Sequence, residues 1–308
     1  MKKEDVAHVN VKSLSEMHRI FGLPAPTHPL ISLADSATHR LISINMPYSH
    51  IRNFYTISYK PGIKGGRVRY GQGYYDVDGG GLLFAAPNQI VGNPVHGEVE
   101  TCALYTLLIH PDFFLNYPLA KKIKQYGFFS YAINETLHLS EKEQATIVAI
   151  FKNIEEELSH RIDDVSQDVI VSQVELLLSY ANRFYKRQFV TRKVVDNDLV
   201  QKLDDLLEEY FDSNKSIRQG VPTVHYLSEK LSVSPSYLSD MLRAHIGQNT
   251  QYIIQQKIIE KAKEKLSATT LSVSEVAYAL GFGHSQSFNK LFKAKMRMSP
   301  LEFRRSFS

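Results

Sequence analysis

Hydrophobic positions along this chain change their period part-way. Between about Thr38 and Ile109, short runs rich in β-branched and aromatic residues, "NFYTISYKPG", "GRVRYGQGYYDV", "GGLLFAAPN" and "CALYTLLI", are punctuated by Gly, Pro and Asn. That pattern predicts strands joined by tight turns. Strands this short and this closely spaced predict a barrel or jelly roll rather than βαβ units. From Ser140 the period lengthens, and Ile147, Ile150, Phe151, Ile154 and Leu158 fall at helical spacing. Ser140 supplies a cap and Glu143 completes a capping box. A second helix is predicted from near Ser166, with a stripe of Ile170, Val174, Leu177, Leu178 and Ala181. Two readings of this helical pair stand side by side: it covers the β-rich part, or it presents a face to a second subunit.

From Asn197 onward the pattern is helical throughout. "DLVQKLDDLLEEYF" is amphipathic and "DSNKSIRQGVP" reads as a loop. Helices are predicted at about 223–231, 235–245, 249–267, 273–280, 285–296 and 299–306. Two stretches share one layout: "VHYLSEKLSVSPSYLSDMLRAHIG" (224–247) and "VSEVAYALGFGHSQSFNKLFKAKMR" (273–297). In each, a short apolar helix meets a tight turn, and a second helix carries an apolar face at i, i+3, i+4. Leu238, Met241 and Leu242 form it in the first, Phe288, Leu291 and Phe292 in the second. This is the helix-turn-helix arrangement, whose second helix offers its polar side to a DNA major groove. Gly281 and Gly283 are expected to permit the sharp turn, and Ala277 a close helix approach.

Length and composition narrow the class. With 308 residues the chain has room for two domains, and its apolar content is that of a globular protein. "MKKEDVAHVN" carries Glu4 and Asp5 where a signal peptide is apolar, and runs such as "ALYTLLI" are too short to span a bilayer. A soluble cytoplasmic protein with no membrane partner is expected. The single cysteine, Cys102, excludes an internal disulfide framework and a multi-cysteine zinc site. Charge is unevenly placed: residues 221–308 hold 12 Lys and Arg against 6 Asp and Glu, a net of +6, leaving −2 for residues 1–220 of a +4 chain. A basic C-terminal region agrees with nucleic-acid binding.

The glycine-rich segments "GGRVRYGQG" and "DGGGLLF" lack the Gly-Lys-Ser/Thr of a phosphate loop and the spacing of a dinucleotide fingerprint, so turns account for them. "HGEVETC" places His96, Glu98, Glu100 and Cys102 on one face of any strand they form. The His-x-His with Glu and a later His that a cupin-type metal site uses is absent, and no nucleophile motif stands out. No catalytic residue, metal or cofactor is expected. Tyr55, Tyr59, Arg67, Arg69, Tyr70 and Tyr74, with Tyr75, cluster on turn-linked strands and suit a small polar or anionic ligand.

"LSVSPSYLSDMLRAHIGQNTQYIIQQKIIEKAKEKL" and "SVSEVAYALGFGHSQSFNKLFKAKMRMSPLEFR" resemble the DNA-binding domain of the AraC/XylS family of bacterial transcription regulators, most specifically in "EVAYALGF", "SFNKLFK" and "SPLEFR". The resemblance covers residues 196–308 and extends weakly upstream. It implies an α+β chain: a cupin-like antiparallel β-barrel or jelly-roll sensor over 1–139, a helical linker and dimerisation segment over 140–195, and an all-α DNA-binding domain over 196–308. Its two helix-turn-helix motifs would lie at about 224–246 and 273–296. It implies a cytoplasmic, homodimeric transcription activator that binds double-stranded promoter DNA, contacts RNA polymerase and answers to a small-molecule effector. A metal-dependent cupin-type sensor or enzyme fused to a DNA-binding domain is the alternative. Position by position, it implies DNA contacts from Ser285, Gln286, Ser287, Asn289, Lys290 and Lys293 in the second motif. In the first they are Ser236, Ser239 and Asp240, with Arg243 toward phosphate. Two departures from the family pattern stand out: Arg297 occupies a position usually glycine, and Asp240 one that is commonly basic.

Overall fold

The strand and helix periods both materialise in the computed structural model, which describes residues 9–36, 49–62, 67–70, 73–76, 80–92, 103–132, 135–160, 164–191 and 193–307. These residues make a mixed, mostly helical structure in two compact units, Met1–Gln188 and Phe189–Ser308.

In the first unit, β1 (Val9–Val11) and α1 (Leu14–Phe21) precede β2 (Ile31–Asp35), β3 (Ser49–Arg52), β4 (Tyr55–Lys60), β5 (Arg67–Tyr70), β6 (Gly73–Asp76), β7 (Gly81–Ala85), β8 (Ile90–Gly92) and β9 (Tyr105–Ile109). Short 3₁₀ turns and α2 (Leu119–Lys122) lead to β10 (Leu137–His138), α3 (Glu141–Ser159) and α4 (Asp164–Thr191). The predicted strands appear as β4, β5 with β6, β7 and β9. The elements before Ser49, together with β3, β8 and β10, fall outside the predicted set. Ser13 caps α1 by accepting from the Glu16 amide, and Gly22 ends it at φ 67°.

The main sheet runs β10-β7-β4-β9-β2, antiparallel throughout, with β4 at its centre. A second sheet, β1-β3-β8, joins a parallel to an antiparallel pair, and β5 pairs with β6 alone. The main sheet ends at β10 and β2, so the described strands form open sheets and do not close the expected barrel or jelly roll.

The α3 capping box is present: the Ser140 hydroxyl accepts from the Glu143 amide, and the Glu143 carboxylate accepts from the Ser140 amide. All five residues of its predicted stripe are buried, and Phe151 stacks on Tyr105 of β9 at 5.3 Å. Helix α4 begins slightly before the predicted start. Its stripe of Ile170, Val174, Leu177, Leu178 and Ala181 is 0% exposed within the chain's own first unit. The expectation that this stripe serves a second subunit is therefore corrected. The polar edge of α4 reaches the 3₁₀ segment, with Gln167 donating to the Phe113 carbonyl, Tyr117 to Asp168, and Lys122 paired with Glu175. Such a helix buries its apolar side on the unit it covers.

The second unit comprises α5 (Lys193–Asp212), α6 (Lys215–Gln219), α7 (Val224–Lys230), α8 (Pro235–Ile246), α9 (Thr250–Ala268), α10 (Val273–Ala279), α11 (Ser285–Met296) and α12 (Pro300–Arg305). Six of these match the predicted helices closely. The segment read as a loop contains α6, whose Ser216 hydroxyl donates to the Ala279 carbonyl at 2.8 Å. Helix α9 joins the two halves and packs on α5, with Ile254, Ile258, Ala262 and Leu266 buried. Lys257 and Lys261 of α9 are also buried, and each pairs with carboxylates of α5: Asp204 and Glu208 for the first, Glu208 and Asp212 for the second. Burial alone would lower both ammonium groups, and these acceptors hold them above the usual lysine range instead.

Candidate nucleic-acid interface

Helices α7–α8 and α10–α11 are two copies of one construction. Thr223 caps α7 and Ser272 caps α10, each hydroxyl accepting from the amide three residues on. At the end of α7, the Leu231 amide bonds to Leu227 and that of Val233 to Ser228; after α10, Leu280 bonds to Val276 and Phe282 to Ala277. Ser232 and Gly281 hold the left-handed position at the corresponding turn, at φ 58° and 91°. Helices α8 and α11 are both 12 residues long and both end in the left-handed conformation, at Gly247 (φ 72°) and Arg297 (φ 57°). Asn249 and Ser299 then cap α9 and α12 two residues later.

The turn glycines differ in kind. A Cβ on Gly281 would lie 2.5 Å from the Gly220 carbonyl carbon and 2.7 Å from the Val221 nitrogen, both backbone atoms. Tyr210 of α5 steadies that seat by donating to the Gly220 carbonyl at 2.9 Å. Gly283 has open space around it and no positive φ. Of the two glycines expected to permit the turn, the geometry requires Gly281 alone. Arg297 keeps the left-handed cap that glycine usually provides, exposed and with its amide donating to the Lys293 carbonyl.

On α11, Gln286, Asn289, Lys290 and Lys293 are exposed and recur at i, i+3, i+4 and i+7. They stand opposite Phe288 and Phe292, which are fully buried; Phe282 and Leu291 are half-buried. Ser285 is half-buried at the start of the helix and Ser287 is exposed on its flank. No acidic residue lies on this helix. On α8 the equivalent face holds Ser236, Ser239, Asp240 and Arg243, opposite the buried Leu238 and Leu242. Its chemistry is different. The Ser239 hydroxyl lies 3.0 Å from that of the buried Thr250, and Asp240 pairs with Arg243 at 2.7 Å. The first face is thus partly self-neutralised and the second keeps its positive charge outward. One contact has no sequence signal: Lys295 stands 3.8 Å over the Tyr252 ring, joining α11 to α9.

The expected ligand residues separate. Tyr55 and Tyr59 are buried in the first unit's core, Tyr55 edge-on to Phe129 and Tyr59 donating to Gln144 at 2.9 Å. Burial raises both phenols above their ordinary range. Arg67, Arg69, Tyr70 and Tyr74 lie on the β5–β6 pair, with Arg69 opposite Tyr74; their side chains lie outside the described set. His96, Glu98, Glu100 and Cys102 lie outside the described residues. Among the described residues, no three His, Cys, Asp or Glu gather as a metal site, and no helix is long and apolar enough to cross a membrane.

Residues 227–306 match the family model of a helix-turn-helix domain, spanning both copies. The C-terminal unit thus carries a helix-turn-helix domain. The chain is 29% identical over 150 residues to the HTH-type transcriptional activator RhaS of Salmonella arizonae, covering 48% of this chain and 51% of that one. It is 25% identical over 138 residues to an uncharacterized HTH-type transcriptional regulator of Staphylococcus aureus, covering 45% of this chain and 17% of that protein. The chain thus spans at most about half the length of these curated relatives, which are regulators rather than enzymes. Among solved structures, the C-terminal domain of the response regulator yesN from Fusobacterium nucleatum is 33% identical, covers 33% of this chain and 96% of its own, and has a TM-score of 0.29. Between the two copies α9 separates the outward helices, and its 19 residues span about 28 Å at 1.5 Å per residue.

Proposed function

We propose that this chain is a sequence-specific DNA-binding transcription regulator whose AraC-type domain reads a promoter with both α8 and α11. The observation that carries this is the duplicated helix-turn-helix, each copy burying one side of its second helix and exposing a polar side. An α9 of about 28 Å approaches the ~34 Å that separates successive major-groove faces, so both helices fit one side of a duplex. Gln286 and Asn289 have the donor–acceptor pair that recognises adenine, and Lys290 the donors that suit guanine or phosphate. Lys293 extends the positive row. Ser236 and Asp240 offer the first helix shorter, partly acidic contacts, and Arg243 lies beside phosphate once released from Asp240. A binding-site selection with the full chain tests the reading. A two-part motif with half-sites about one helical turn apart is expected; a chain that enriches no sequence at low salt overturns it.

The first unit is read as a cupin-like sensor for a small-molecule effector. Support comes from its antiparallel five-stranded sheet and from a cavity beside β4. Its alternative, a metal-dependent cupin-type unit, has no corresponding cluster among the described residues. Activation is read from the relative described as a transcriptional activator, and RNA polymerase is the partner proposed for it. Homodimerisation is assigned to the outer side of α4, where Val165, Val169 and Leu176 are 70%, 39% and 43% exposed. Their spacing of four and seven residues puts them within one narrow stripe.

A further inference from the structure

The cavity beside β4 contains a cation with almost nothing to bind. Arg52, at the end of β3, is 8% exposed. Its Nη1 donates to the Thr56 hydroxyl at 3.3 Å, its Nε has no partner, and among the described residues no carboxylate pairs with it. A guanidinium carries five N–H donors in a planar fork. Burying one with a single hydroxyl acceptor is costly, and folded chains rarely leave it so. Desolvation pushes this guanidinium down to about 10, still far above neutral pH, so the charge persists. The cavity encloses about 180 Å³. That is the share of about six liquid waters, the size of a small organic molecule rather than a single ion.

The walls divide by chemistry. Lys60, half-buried two turns of the pleat beyond Thr56, adds a second cation to the polar side. Phe84, Phe128 and Tyr185 add a continuous aromatic wall, with Phe128 stacked on Tyr185 at 5.4 Å and 4.5 Å from Phe84. A guanidinium fork matches the two oxygens of a carboxylate or phosphate. We infer that this cavity binds a small organic anion, its carboxylate or phosphate head on Arg52 and its apolar body against Phe84, Phe128 and Tyr185. This deepens the reading of the first unit as the effector-binding part and rests on it.

Hexanoate and butyl phosphate are the probes, and hexanamide, neutral and of nearly the same shape as hexanoate, is the control. Calorimetry on the full chain is expected to show binding of at least one anion, with hexanamide weaker by about tenfold or more and Arg52→Gln weaker by a similar factor. Preference between the two anions identifies the head group. In nitrogen-labelled wild-type chain, the Arg52 Nε–H resonance is expected to shift on adding the bound anion, which keeps the test decisive should Arg52→Gln not fold. Neither anion binding at up to about 10 mM, hexanamide binding equally well, or an Arg52 resonance that does not move would each overturn the site. Binding is read without DNA, so its loss leaves DNA recognition intact. An anion that binds through Arg52 without changing operator affinity keeps the site and removes the sensor role.

Discussion

Gly281 and Arg297 show how one backbone conformation is tolerated in one place and required to be glycine in another. Both sit at positive φ, but only Gly281 faces a wall of backbone, at Gly220 and Val221. Gly281→Ala combines left-handed strain with a clash that no side-chain motion relieves, and is expected to cost about 2–4 kcal/mol. Gly283→Ala is expected to change stability by less than about 0.5 kcal/mol, because open space surrounds it. Denaturant midpoints of the two variants check the pair; equal effects would refute the assignment of the turn. Arg297→Gly relieves strain of about 1 kcal/mol, offset in part by the greater freedom of glycine when unfolded, so a gain of up to about 1 kcal/mol is expected. The same variant reports on DNA. A salt slope reduced by about one would place Arg297 on a phosphate, and an unchanged slope leaves it a cap only.

At the scale of elements, α8 and α11 share a frame and differ in what they expose. Gln286→Ala is expected to weaken binding by about 1–3 kcal/mol and relax preference at one or two base pairs. Asp240→Arg removes the partner of Arg243 and adds a cation, so affinity rises for all sequences and the salt slope steepens by about one unit. Lys290→Ala separates base from backbone contact: a uniform loss means phosphate, a selective one guanine. Competition binding on selected and scrambled sites measures all three; an unchanged motif in Gln286→Ala with a lost motif in Asp240→Arg would reverse the roles of the helices. Most of this frame was legible in the sequence, because helical periodicity, Ser-x-x-Glu caps and the alternation of β4 are local signals. Helix α6 was hidden in a polar stretch, since five residues are too few to display a period. Tyr55 and Tyr59 looked like ligand residues because they cluster with other tyrosines and arginines on turn-linked strands, which does not show that Phe129 and Gln144 already engage them. Arg52 gave no signal at all, since its isolation arises from chain segments distant in sequence. The α5–α9 ladder was equally hidden, and it makes a pH prediction. Bonds from Lys257 and Lys261 hold the Glu208 carboxyl below its ordinary 4.5. A depressed carboxyl contributes stability above its unfolded value and loses it as pH falls through the folded one. Glu208→Gln is therefore expected to narrow the difference in thermal midpoint between pH 7 and pH values below 4.5; an identical acid sensitivity in both proteins would deny the ladder that role.

For the whole molecule, the question is which surface of α4 is open to the second copy proposed for it. The inward stripe is closed: Val174 and Leu177 are fully buried in their own unit, so Val174→Glu places a charge in a packed core and is expected to unfold that unit rather than to dissociate anything. The outward stripe of Val165, Val169 and Leu176 has the opposite character, apolar and exposed on a helix that its inner contacts already hold in place. Apolar surface arranged in this way is stabilised by removal from water, at roughly 25 cal/mol per Å² buried. Two copies joined here would carry four reading helices, and the longer composite site would bind more tightly through effective concentration than through any new base contact. Val169→Glu with Leu176→Glu is expected to leave the fold and single-copy DNA contacts intact while halving the mass seen in sedimentation. Affinity for a single half-site should then persist, and the advantage of a paired site should disappear. A wild-type chain that sediments as a monomer at micromolar concentration, both alone and on paired-site DNA, would show that α4 keeps its outer face to itself.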